Sequence, residues 1–421
     1  MWRNRLVPVV RRFFSIVTLT LVLASTAPAA AKYGVLHDFD CPTDGCGPNA
    51  GVVFDATGDA YGTTGSGGSG NCNLGCGTIF KLTPPSGGAP WTLSVLHNLT
   101  LSEGDAPFAA VTFDQSGNLY GTAIGGGAYD SGTVFELISG SSGWTLSVLH
   151  SFGSGNDGWK PFADVVLDKA GNLYGTTQGS TVYKLAPSSD GSWTENTIYN
   201  FTAKDDGSTP EAGLIWDQAG NLYGTTVYGG GYYTHCSPGC GTVFKLVPTS
   251  GGGWKEYILH RFNWAPGGPD GYSPYGSVTF DKAGNLYGTT AYGGSDNACF
   301  SGCGTVFKLT PLSNGRWKET ILHSFHLDQN GYAPFAAVVL DEAGNVYGTT
   351  AWGGVNNAGV VFKLSPGANG KWKYSVLHRF TGPDGAQSNA GLIFDKSGKH
   401  LYGTTSLGGA HNGGVVFEIT P

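Results

Sequence analysis

Two carboxylates stand out because the matching positions of otherwise similar segments are uncharged. Asp164 lies in "PFADVVLD" and Glu211 in "PEAGLIWD", whereas "PYGSVTFD" and "PFAAVVLD" carry no acid before their last residue. Two carboxyl groups facing one cavity can divide the roles of general acid and general base, or hold a metal ion. No G-x-S-x-G motif accompanies them, so a serine-nucleophile hydrolase of that type is not indicated.

A second group is aromatic. Tyr228, Tyr292 and Trp352 each follow a "GTT"-type segment by one residue and precede a Gly-Gly pair, and Tyr232, Tyr233, His235, Trp264 and Phe300 lie in neighbouring stretches. An exposed row of such rings suits stacking on sugar rings or contact with another protein. The alternative is that they pack beneath their own loops, as Ile124 and Leu407 would at the same position.

Eight cysteines form four local pairs: Cys41/Cys46, Cys72/Cys76, Cys236/Cys240 and Cys299/Cys303. In an exported chain these read as four disulfides closing small loops. A zinc site would need a second Cys or His pair, and only His235 stands near, so no metal is assigned. An acid or amide precedes glycine in seven further segments, at Asp44, Glu103, Asp157, Asp206, Asp270, Asn330 and Asp384. These fit turn chemistry. Calcium held by several of them is the one cofactor left open, and none is expected.

The elements that must position these residues are repeats. "GNLYGTT" or a close variant starts at residues 58, 117, 171, 220, 284, 344 and 398, at intervals of about 49–64 residues. Each copy is preceded by a segment like "AGLIWD" and followed by one like "GTVFKL", then by one like "VLHSF". All four are short β-branched or aromatic runs bounded by turn formers, as strands are. The D-x-x-G-N between the first two supplies a tight hairpin. With 70 glycines, 20 tyrosines, 22 phenylalanines and 11 tryptophans, little of the chain favours helix.

Seven four-stranded antiparallel units predict an all-β, seven-bladed β-propeller. The order of segments supports a closed ring. The repeat region opens on an outer-strand segment (residues 33–39) and ends on a third-strand segment (residues 414–419). Joining them completes the last blade and removes two sheet edges. Residues present in every blade are then scaffold. His37, His97, His150, His260, His323 and His378, with Tyr199 in the seventh copy, are spread around a ring and cannot converge on one ion. Hydrogen bonding within the scaffold is expected of them. The loops before the first strand and between the second and third emerge on one side, vary in length, and carry every cysteine and the unusual aromatics. Variable loops on a rigid scaffold are where binding is expected.

Arg3, Arg5, Arg11 and Arg12 precede an apolar run over residues 13–24 and the small residues "STAPAAA". That order is a secretory signal peptide, expected over residues 1–31, with a single propeller domain over 32–421. The run is shorter than the roughly 20 residues that span a bilayer. Its four arginines gone, the net charge moves from −7 to −11, which disfavours nucleic acid as a partner. No second apolar stretch suggests a membrane span, and a secreted monomer is expected.

The composite "VLHSF…DG..P.AGLIFD.AGNLYGTT..GG…GCGTVFKLTP" resembles the GloVer (Gloeo/Verruco) tandem repeat of exported bacterial proteins over nearly all of residues 33–421. The resemblance implies a bacterial, extracytoplasmic β-propeller and supplies no catalytic residues. Members commonly end in a sorting segment. This chain stops at Pro421 without one, so release is expected. Two functions follow as expectations. One is a non-catalytic module binding glycan or extracellular protein through the disulfide-stiffened side. The other is an enzyme of lyase, lactonase or glycoside hydrolase type, working at the channel with Asp164 and Glu211.

Overall fold

The "LYGTT" segments become five-residue strands with every residue buried, as at Leu173–Thr177, Leu222–Thr226 and Leu286–Thr290. Their central glycine is dictated by the next strand. In the fourth repeat Gly224 lies opposite Phe244, and a Cβ on it would stand 2.6 Å from the tip of that ring. The structure is a computed structural model that describes residues 30–85, 90–141, 143–231, 236–296, 298–299 and 301–421. The expected signal peptide, apart from its last two residues, and Tyr232, Tyr233, His235 and Phe300 lie outside the described residues.

Around these strands the other segments assemble as expected. In the fourth blade Ile215–Trp216, Leu222–Thr226, Thr242–Pro248 and Trp254–Arg261 pair antiparallel in that order. Seven four-stranded sheets of this kind form, with a two-stranded ribbon at Gly271–Tyr272 and Tyr292–Gly293. The ring closes through both ends of the chain: Lys32–Asp38 pairs with Val415–Thr420, setting Tyr33 opposite Ile419. The last blade is thus built from residues at opposite ends of the propeller sequence.

Neighbouring blades are joined by apolar packing and by one repeated hydrogen bond. Third-strand rings such as Phe80, Phe244 and Phe417 are fully buried. The first Thr of each "GTT" reaches the next blade, as Thr176 Oγ1 donates to the carbonyl of Ala212 at 3.0 Å and Thr289 to that of Ala336 at 2.8 Å. Thr404 donates to Ala50 at 2.9 Å, carrying the same contact across the closure.

One side of the ring repeats almost without change. In the fourth blade Asp217 accepts from the backbone N–H groups of Ala219 and Asn221, from Asn221 Nδ2, and from the Tyr223 hydroxyl. Burial works against its charge, yet these donors hold its carboxyl below the usual range. On the other side the loop before each first strand bridges to the loop after the second, at Cys46/Ser66, Asp105/Gly125, Ser208/Tyr228 and Tyr332/Trp352. The cysteine-bearing and aromatic loops do share one side.

That side also explains the acid before glycine. His37 Nε2 lies 2.8 Å from Asp44, His97 3.0 Å from Glu103, His150 3.0 Å from Asp157 and His378 3.0 Å from Asp384. Where Tyr199 replaces histidine, its hydroxyl donates to Asp206 at 3.3 Å. The outer strand of the next blade covers the pair, and Tyr33 stacks on His378 with ring centroids 3.7 Å apart.

Three disulfides form: Cys72–Cys76, Cys236–Cys240 and Cys299–Cys303. The expected fourth does not, and Cys41 and Cys46 remain thiols. The bonded pairs are four residues apart, this pair five. Cys46 is drawn to Ser66 by a backbone bridge and a 3.3 Å contact from Sγ to Oγ. Burial and the neighbouring Cys46 push the Cys41 thiol up to about 12.

Candidate functional site

The first strands converge on a central channel, and crowding selects small residues there. Gly51, Ala110, Gly213, Ala337 and Gly391 line it, and a Cβ on Gly51 would lie 2.9 Å from the carbonyl of Gly391. The channel encloses about 460 Å³. Asp164 occupies this column in the third blade. Its place is made by the next blade, since a Cβ on Gly213 would stand 2.3 Å from Asp164 Oδ1. Enclosure by protein pushes the Asp164 carboxyl up to about 6. The third blade also replaces the usual third-strand Phe with Tyr183, whose buried hydroxyl has no hydrogen-bond partner among the described residues. Burial and the nearby Asp164 raise that phenol strongly.

Glu211 is not at the same level. It follows the proline that opens six of the seven inner segments, Ser388 standing there in the last, in a column made of Asn49, Phe108, Phe162, Glu211, Tyr275, Phe335 and Asn389. All seven line the channel. Glu211 alone of the two acids also lines a basin beside the mouth, with Trp159, Gln178, Ser208, Tyr228 and Tyr275. The two carboxylates therefore open on one channel at different depths.

The basin, of about 630 Å³, exists because the third blade has the shortest loop. Only residues 178–180 join its second and third strands, whereas residues 227–241 do so in the fourth blade. At other junctions the long loop fastens to the next blade. Ala106 donates to the carbonyl of Cys76, Ser273 to that of Cys240 and Ala333 to that of Cys303, so the disulfide loops also join blades. These donors sit in left-handed conformations with φ of 54–55°, held by the following proline and the loop. Between the third and fourth blades Thr209 reaches only the Ser180 hydroxyl, at 3.1 Å.

Trp159 stands over this opening, 45% exposed. Its ring rests on Gly179, where a Cβ would lie 2.7 Å from its edge, and Lys160 Nζ lies 5.6 Å from its centroid. Across the basin Gln178 Nε2 donates to Glu211 Oε1 at 2.8 Å. Burial raises the Glu211 carboxyl, opposed by Gln178 and Lys160. Tyr228 and Tyr275 share a hydrogen bond, and both line the cavity.

From there an aromatic arc follows the mouth. Tyr275 and Phe335 lie 5.3 Å apart, Tyr292 and Phe335 6.2 Å, and Phe335 and Trp352 5.6 Å. The structure thus brings Tyr228, Tyr292 and Trp352 together, each half-buried, through rings of the first-strand column. Trp264 is a correction. It is 6% exposed, donates to the carbonyl of Gly294 and packs on Tyr272, so it supports the loop and has no free face for stacking. Sequence reasoning missed Trp159, Gln178, Tyr275 and Phe335. Aligning the column after the proline would have found the last two, and the short third-blade loop pointed to the others.

Seven four-stranded sheets around a channel, with variable loops gathered at one mouth, define a seven-bladed β-propeller. The chain belongs to the Gloeobacter/Verrucomicrobia repeat family, whose sequence model matches residues 22–179, 141–311 and 297–421. Among solved structures, it is similar to a Bacteroides uniformis protein provisionally named a 6-phosphogluconolactonase. That match has 15% identity and a TM-score of 0.48, and covers 78% of this chain and 84% of the other. A Thermus thermophilus protein, provisionally named an oxidoreductase (glucose dehydrogenase), matches at 13% identity and a TM-score of 0.43, over 92% and 99%. No curated protein matches the chain.

Proposed function

We propose that this propeller is an extracytoplasmic binding protein that seats carbohydrate in the basin between its third and fourth blades. One observation carries the reading: Trp159, Tyr228 and Tyr275 wall a cavity whose floor holds the Glu211–Gln178 pair. Sugar rings present apolar C–H faces and outward hydroxyls, so aromatic walls and a carboxylate–amide floor satisfy both. The basin lies on a rim that three disulfides stiffen, which lowers the ordering cost of binding. The bridges and the absence of a membrane-spanning helix among the described residues are compatible with export. A glycan array followed by calorimetry on a hit tests the proposal. Binding that Trp159→Ala and Tyr228→Ala each weaken supports it. No hit, or a hit that neither substitution affects, overturns it.

The second reading is enzymatic and rests on the raised carboxyls of Asp164 and Glu211 in one channel. A proton held near neutral pH is what a general acid requires. Turnover of a bound glycan or lactone that Asp164→Asn abolishes would favour it. Binding without turnover favours the first reading.

A further inference from the structure

One histidine–acid pair departs from the pattern. Elsewhere the histidine and its acid are six or seven residues apart and 2.8–3.0 Å from each other. In the fourth blade three more residues intervene, and the nearest Asp270 oxygen stands 3.9 Å from His260 Nε2. The outer strand of the next blade, which lays Tyr33 or Tyr374 over the histidine elsewhere, here supplies Glu319, whose Oε1 is 3.5 Å from the same nitrogen.

These separations are long for hydrogen bonds. The Asp270 oxygen at 3.9 Å, Oδ2, accepts from the Asn263 backbone N–H at 2.8 Å, whereas His260 Nε2, Glu319 Oε1 and the other Asp270 oxygen, Oδ1, have almost no accessible surface and no hydrogen-bond partner among the described residues. Three unsatisfied polar atoms meeting at one buried point is a costly arrangement, more so when two belong to acids. A cation between them removes the cost. Bonds of about 2.1 Å to a tetrahedral ion place neighbouring ligand atoms roughly 3.4 Å apart, close to the separation seen between His260 and Glu319. The ligand atoms of all three residues lie within 4.8 Å of one another.

The geometry points to a divalent transition-metal site, of zinc type, formed by His260, Asp270 and Glu319 between the outer parts of the fourth and fifth blades. One imidazole nitrogen and two carboxylates are borderline-hard ligands that suit zinc. The site lies away from the channel and ties two blades together at the edge of the ring, so its role is structural.

The test uses the purified full chain, stripped with a chelator and titrated with Zn²⁺ by calorimetry, with thermal unfolding in parallel. One saturable equivalent is expected, raising Tm. Glu319→Gln and His260→Gln should each weaken it by about tenfold or more and remove the Tm shift. His378→Gln, which breaks an ordinary pair, and His326→Ala, which removes an exposed histidine near Asp296, should leave the equivalent intact. Circular dichroism confirms that each variant is folded. Absence of a saturable equivalent would overturn the site and leave a proton shared between the two acids as what satisfies the cluster. Equal Zn²⁺ binding by Glu319→Gln would overturn it as well.

Discussion

The two sides of the ring are built from the same seven repeats, yet they have opposite characters. On the hairpin side every blade spends its Asp, and most also their Asn and Tyr, on the same short turn, and the donors are saturated. On the rim side the blades solve the same joining problem in different ways, by a disulfide loop, a plain loop or, in the third blade, a short turn that meets its neighbour through the Ser180 hydroxyl. Repetition marks where the fold is held, and departure from it marks where surface is left for a ligand.

The largest test of this contrast is on the hairpin side. Asp217→Ala removes the acceptor of four hydrogen bonds and should cost about 3 kcal/mol in denaturant unfolding, without altering the affinity of the folded protein for a glycan. A loss of affinity with stability intact would break the contrast. Next is a pH effect on the rim side, where the fifth blade has Asn330 in place of the acid. His323 faces Tyr374 in a 4.1 Å stack, with His326 and Asp328 nearby. Burial and the adjacent His326 hold its pKa down to about 4. The unfolded chain takes up this proton first, so its contribution is complete above pH 6.5 and is lost as pH falls toward 4. Stability should drop by on the order of 2 kcal/mol over that window, and His323→Gln should flatten the drop in pH-dependent unfolding.

Trp159→Ala should weaken glycan binding about tenfold, or about 1.4 kcal/mol, while shifting unfolding by under about 0.5 kcal/mol. A large loss of stability would instead make Trp159 part of the scaffold. The smallest effect belongs to the joints. Thr225 Oγ1 lies 3.1 Å from the carbonyl of Pro274 and 3.2 Å from that of Gly276, and Thr225→Val should cost about 1 kcal/mol.

The ring, its strand order and its closure were legible because each is written seven times and because a repeated residue answers a repeated contact. Gly224 against Phe244 and Thr176 against Ala212 show why those letters cannot drift. The site was less legible for the same reason inverted. Trp159 and Gln178 occur in one blade each, and nothing in their local sequence says that a missing loop exposes them. Asp164 and Glu211 looked like partners, yet they hold positions two residues apart along their respective segments and so stand in different columns, at different depths. Trp264 was misplaced because an aromatic in a loop can serve as its floor, and composition does not separate floor from surface. The His260 cluster was hidden too, since Glu319 comes from the following blade and meets His260 only once the sheets are stacked.

The closure has a consequence for how the molecule is made. The outer strand of the last blade precedes every other strand of the ring and its partner follows them all, so it waits until the segments of the other six sheets have been made before it can pair. Six sheets can form in sequence from the growing chain. The seventh cannot, so the ring closes only once the last strand of the propeller has been made.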